Sequence, residues 1–261
     1  MKMMKDELSK RVSLVDNSIA RTEKILYNQY LKSAKSLELR LRALYQNIED
    51  DGDTALLSHL YQYNRYYDLL NTLQEELTKL GNYEKKELEQ GLTKLYLDNS
   101  KVISSYGNNF TPFINNNLVK EVVNENWGGR AKSWSDSIWS NKAEIAERIR
   151  DDFIDILATG KSYREVSTIL SKDLGVAYHQ AQRLVRTEMA RVAIQSSLDT
   201  YASIGIDKVR VITADDMCSE VCEEHKGNIV PIMEAEVGIN IPPFHPNCRC
   251  DIVAVWEDDN V

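Results

Sequence analysis

No stretch of this 261-residue chain approaches the roughly 18 consecutive apolar residues that a membrane-spanning helix requires. Met1 to Lys10 mixes Lys, Asp and Glu with no apolar core, so it does not read as a secretory signal, and a cytoplasmic start is expected. The signatures of common enzyme classes are also missing. There is no Walker phosphate loop, no GxGxxG after a strand, no GxSxG elbow, no HExxH, and neither the HxE nor the PCxxC of zinc deaminases. Nor is there an excess of basic charge. Lys and Arg number 32 against 40 Asp and Glu, a net charge of −8. Residues 1–104 hold 16 of each sign, and residues 105–261 hold 16 basic and 24 acidic, so the excess acid lies in the second part. An acidic surface repels phosphate, which argues for a solubilising exterior over sequence-independent wrapping of nucleic acid.

What the chain does contain is helical periodicity. From Asp6 to about Glu49, Leu8, Val12, Val15, Ile19, Ile25, Leu26, Leu37, Leu41, Leu44 and Ile48 recur at three- and four-residue steps without Pro or Gly, which predicts one long amphipathic helix. Asp50 to Asp53 form a polar break, and Thr54 is a plausible N-cap for a second helix with Leu56, Leu60, Tyr63, Tyr67, Leu70, Leu73, Leu77 and Leu80 on one face. Gly81-Asn82 reads as the next break, with a third helix from Tyr83 to about Val102. Short turns between long helices favour antiparallel neighbours, hence an elongated hairpin or bundle over residues 1–105. Tyr61, Tyr63, Tyr66 and Tyr67 suit either helix packing or subunit contacts.

The segment Tyr106 to Asn117 is rich in Asn with one Gly and one Pro, and it is the expected linker. Beyond it the pattern predicts a short helix near Leu118–Asn126 and a Gly128-Gly129 turn. A helix from Ser135 to Ala158 should end at Gly160, another capped by Ser162 should stop at Gly175, and a last long one should run from Ala177 to Ile204. Arg183, Arg186, Glu188 and Arg191 lie on the polar face of that last helix. Three short strands follow, Lys208–Thr213, Asn228–Ile232 and Asp251–Trp256. The fold class is therefore mainly α, with a small α+β cysteine-rich module at 206–256 inside a second domain, 118–261.

All four cysteines fall in that module, as Cys218-x3-Cys222 and Cys248-x-Cys250, with His245 just upstream of the second pair. In a reducing compartment, thiolates gathered in a unit too small for its own core bind zinc more often than they form disulfides. Four soft ligands around one ion would close the loop and stabilise a fold that burial alone does not. Cys218, Cys222, His245, Cys248 and Cys250 are the candidate ligands of a structural zinc; packed reduced thiols and a disulfide remain the alternatives. His225 is a weaker candidate. An open zinc beside Glu220, Glu223 and Glu224 would instead suit a metal-dependent hydrolase or nuclease, the competing functional hypothesis. Asp215 and Asp216 fit a helix N-cap better than a cation site.

Arg186-Thr187-Glu188 with Arg191, then Tyr201, Gly205, Lys208, Asp215 or Asp216, Cys218, Cys222 and Gly227, and finally Pro242-Pro243-x-His245-Pro246-x-Cys248-Arg249-Cys250, form an ordered set. This set resembles the phage Mu F-like minor capsid, or head-morphogenesis, family. Trp127, the stretch from Trp134 to Trp139, Asn141, and Gly160-x-Ser162 extend the resemblance to about residues 120–256. Gln195 stands where Asn is expected in many relatives, and the C-terminal extension that in some carries a toxin or transferase domain is absent. The resemblance implies a non-enzymatic protein of the phage head, assembled in the host cytoplasm and then part of the virion. Its expected partners are portal, major capsid or scaffold proteins, with DNA a further candidate and no membrane. Arg186, Glu188 and Arg191 are spaced for an ion-pair network that would orient the cysteine module against the long helix, or else for a salt-bridged solvent face.

Overall fold

The computed structural model describes residues 2–50, 65–106, 116–129, 132–159, 163–213 and 219–256. Among the described residues five helices come first: α1 (Lys2–Asp50), α2 (Arg65–Ser104), α3 (Asn116–Asn124), α4 (Trp134–Thr159) and α5 (Tyr163–Ser203). Then follow β1 (Lys208–Ile212), α6 (Glu220–His225), β2 (Ile229–Pro231), a 3-10 turn (Ile232–Glu234) and β3 (Asp251–Ala254). The protein is mainly α with a small α+β module carrying the cysteines, as the sequence pattern implies. No helix among the described residues is long and apolar enough to cross a membrane.

Two compact units divide the chain, one formed by Met1–Glu23, Glu87–Trp134 and Arg183–Val261, the other by Lys24–Lys86 and Ser135–Gln182. Most of the expected linker, residues 107–115, lies outside the described residues, as do Thr54, Gly160, Ser162, Asp215, Asp216, Cys218 and the acidic tail.

In the second unit α1 and α2 pair in opposite directions. Tyr30 hydroxyl meets Glu84 Oε2 at 3.1 Å, and Arg40 Nη1 donates to Thr72 Oγ1 at 3.2 Å. Lys142 Nζ, from α4, lies 2.6 Å from both Glu84 Oε2 and the Tyr30 hydroxyl in a buried node. The first unit repeats the antiparallel sense, with Tyr106 hydrogen-bonded to Asp6 and Gly91 beside Thr22.

Two expected helix stops do not occur. α2 runs through Gly81-Asn82 because Gly81 serves packing: a Cβ there would lie 2.7 Å from Trp139 Cζ3. α5 runs through Gly175, where the buried neighbours Leu174 and Ala177 hold the helix despite a glycine cost of about 1 kcal/mol. Near its start the inward face of α1 is rotated from the apolar pattern, with Glu7, Arg11 and Thr22 buried and Val12 42% exposed, whereas further along Leu26, Leu37 and Leu41 are buried as the pattern expects, beside Tyr30 and Ser33. Of the tyrosine cluster, Tyr67 is 55% exposed, Tyr61 and Tyr63 lie outside the described residues, and of Tyr66 only the backbone is described.

The sheet has order β2-β1-β3, both pairs antiparallel, with Val209 opposite Val230 and Arg210 opposite Val253. Alternation along β1 sends Val209 and Val211 into a core with Ile103, Ile194, Leu198, Tyr201 and Ile252, which seats the module on α5 and α2 within the first unit.

Candidate metal centre

The tertiary structure gathers three thiols that the sequence separates by up to 28 positions. The Sγ atoms of Cys222, Cys248 and Cys250 all lie within 4.8 Å of one another, and each side chain is 7% exposed or less. None is disulfide-bonded. Cys222 comes from α6, whose N-cap Ser219 accepts a hydrogen bond from the Cys222 amide at 3.4 Å. Ser219 is thus the cap, a role the sequence pattern gave to Asp215 or Asp216. Cys248 and Cys250 come from the segment entering β3, and backbone amides of Cys250 and Phe244 donate to Cys248 Sγ.

Electrostatically the cluster favours one thiolate over two. The Cys250 thiol donates to Cys248 and pushes its pKa down to about 5, and that same bond together with burial pushes Cys250 up. Soft, buried thiols in such an arrangement can hold a metal ion. His245 joins them, with Nε2 3.1 Å from Cys222 Sγ. His225 stacks on Phe244 at 4.3 Å between ring centroids. Cys218 lies outside the described residues.

The Arg-Thr-Glu segment divides its work. Arg186 reaches outward to Glu23 Oε1 at 2.6 Å. Glu188 and Arg191, by contrast, are buried, so the solvent-face alternative does not hold for them. Arg191 Nε donates to Glu188 Oε2 at 2.8 Å, and its two terminal nitrogens donate to the carbonyls of Val122 and Val123 at 2.7 and 3.1 Å. Those carbonyls end α3, and Arg191 shares their capping with the Glu125 amide on Val122 O and the Trp134 indole N–H on Val123 O, at 3.4 and 2.8 Å. Trp127 Nε1 donates to Glu188 Oε1 at 3.1 Å. The thiol loop itself is touched by Thr187, whose Oγ1 accepts from the Asn247 amide at 3.2 Å. Asn247 takes φ 62°, a left-handed turn conformation between His245 and Cys248. Gly238 packs its backbone against Trp127, where a Cβ would meet the ring at 3.0 Å and Gly128 Cα at 2.9 Å.

Composition gave no hint of Arg11. Its guanidinium, 1% exposed, donates to Ser197 Oγ at 2.9 Å, to Asp251 Oδ1 at 3.0 Å and to the Ile252 carbonyl, and it ion-pairs with Glu7 at 3.2 Å. Burial opposes its charge, but Asp251, Tyr201 and Glu7 outweigh burial and hold it protonated. The only signal available was the i, i+4 spacing of Glu7 and Arg11, which ordinarily marks a solvated pair. Next to these groups a cleft of about 330 Å³ is lined by Val12, Val15, Ile19, Ala190, Cys248 and Cys250, among others.

Fold and centre together define a mainly helical protein whose last segment is a small sheet built around a thiol cluster. Residues 147–253 match the family described as phage Mu protein F like protein, and this stretch holds the whole of α5, β1 and β2, most of β3 and every thiol. The chain is also similar to the NAD(+)–arginine ADP-ribosyltransferase EFV of Enterococcus faecalis (strain ATCC 700802 / V583), at 27% identity over 258 residues. That alignment takes in 90% of this chain, which spans 51% of the relative's length. No solved structure matches.

Proposed function

We propose that the protein is a phage head-morphogenesis component that works by holding other head proteins, with its C-terminal module stapled by a structural zinc ion. The observation that carries this reading is the Mu F-like match over residues 147–253, the part that contains Glu188, Arg191 and the cysteine cluster. A structural rather than catalytic metal is favoured by the donor set, because three buried cysteines with one further Cys or His describe a closed four-coordinate site. ADP-ribosyl transfer is named for a protein of which this chain covers half, and it is not carried over.

Binding to partners fits the exterior of α1. Tyr27, Leu31 and Leu39 are 46%, 50% and 57% exposed and fall within about 120° of one flank of the helix, an apolar strip available to another subunit. The portal protein is the first partner to test, then major capsid and scaffold proteins. DNA is a weaker candidate given the acidic balance, and the site of action is the host cytoplasm during assembly and then the virion. The test is co-purification of the full chain with portal protein from assembling heads. Retention through a salt wash, lost in a Leu31→Asp, Leu39→Asp variant, supports the reading; a chain absent from heads and from every head-protein fraction overturns it.

A further inference from the structure

We propose that His245, through Nε2, is the fourth ligand of a closed zinc site with Cys222, Cys248 and Cys250, and that Cys218 is not a ligand. The inference rests on the zinc reading above and narrows it to one donor set.

Three observations converge on it. The first is spacing. Zn–S bonds of about 2.3 Å in a tetrahedron set ligand sulfurs about 3.8 Å apart. Cys222 and Cys248 Sγ are 3.8 Å apart. His245 Nε2 lies 3.1 Å from Cys222 Sγ, beside the three sulfurs but not within 4.8 Å of all of them, so the ring must swing inward to complete the tetrahedron. The second is the tautomer. His245 Nδ1 lies 2.8 Å from the Pro246 carbonyl oxygen. A carbonyl only accepts, so Nδ1 carries the proton and the neutral ring leaves Nε2 with its lone pair facing Cys222 Sγ. This is how a histidine ligand is held by an outer partner. The third is the turn. The Cys248 amide donates to the His245 carbonyl at 3.1 Å, and Asn247, with its φ of 62° and its amide on Thr187, fixes that turn from the side of α5. His245 and Cys248 are thereby presented together by a preformed loop, which lowers the ordering cost of binding an ion.

X-ray absorption at the zinc edge of the full-length, zinc-loaded chain counts the donors directly. Three sulfurs at about 2.3 Å and one nitrogen at about 2.0 Å are expected. Competition with a chromophoric chelator then ranks three variants. Cys218→Ser should hold zinc within about twofold of the parent, His245→Ala should bind at least about tenfold more weakly, and His245→Cys should recover binding with a four-sulfur shell. A four-sulfur shell in the parent, or His245→Ala within twofold of it, overturns the assignment while leaving the zinc reading standing. A folded parent chain that takes up no zinc overturns both. The absorption measurement on the parent decides the matter even if His245→Ala fails to fold.

Discussion

Arg11 and Asp251 stand 240 positions apart in sequence and 3.0 Å apart in space, tying the first turns of α1 to the first residue of β3. Arg11 is buried and Asp251 part-buried, and Glu7 shares the same guanidinium. Removing one partner of a buried ion pair leaves an uncompensated charge, which costs about 3 to 5 kcal/mol. Arg11→Ala should therefore lower stability by that amount in urea denaturation. Arg249→Ala, which breaks the half-exposed pair with Asp16, should cost under about 1 kcal/mol. Equal losses in the two variants would show that the buried pair is not what joins the termini.

Two glycines inside helices should respond to alanine with opposite signs. At Gly175 an added Cβ meets nothing within 4 Å, so Gly175→Ala should stabilise by about 0.5 to 1 kcal/mol through helix propensity and a less free unfolded chain. At Gly81 the added Cβ would press on Trp139 Cζ3 at 2.7 Å, so Gly81→Ala should destabilise by about 1 to 3 kcal/mol. Thermal melts of the two variants check this directly.

Asp199 supplies the pH dependence. Burial raises its pKa, against the lowering effect of hydrogen bonds from Tyr96 hydroxyl at 2.6 Å and Gln195 at 2.9 Å. Below about pH 4 the carboxyl is protonated in both folded and unfolded chains. As pH rises through the elevated folded value, the unfolded chain gives up its proton more readily, so stability falls. Asp199→Asn should flatten that decline above about pH 4 while leaving the rest of the profile in place. Parallel stability-against-pH curves for parent and variant would contradict the assignment.

On the zinc reading proposed above, removing the ion should act locally. With a chelator present, hydrogen exchange in β2, α6 and the 245–250 loop should rise by at least about tenfold, while the buried node of Tyr30, Glu84 and Lys142 keeps its protection. Uniform loss of protection across the chain would mean the ion holds more than the module.

The family resemblance was legible in the sequence because its residues are ordered and chemically distinctive: the Arg-Thr-Glu run, the Cys pairs and the His-Pro-x-Cys-x-Cys segment. The module's strands were legible from alternation at Lys208–Ile212, since a half-buried strand must repeat every second residue. What misled was local grammar at glycine. Gly81 and Gly175 look like helix stops in any short window, and only contacts from distant residues decide otherwise. Charge was less legible at Glu7 and Arg11, which have the composition of a solvated face and lie inside, whereas the Glu188–Arg191 ion pair that the spacing suggested does form and is buried.

The residues alone thus determined a long-helix protein with a thiol-bearing end, because periodicity and cysteine placement are properties of neighbours along the chain. Which thiols meet, that His245 sets Nε2 against Cys222, and that Arg11 is buried against β3 were decided by the tertiary structure. Those facts depend on groups up to 240 positions apart being brought within hydrogen-bonding reach, and no local pattern encodes such a pairing.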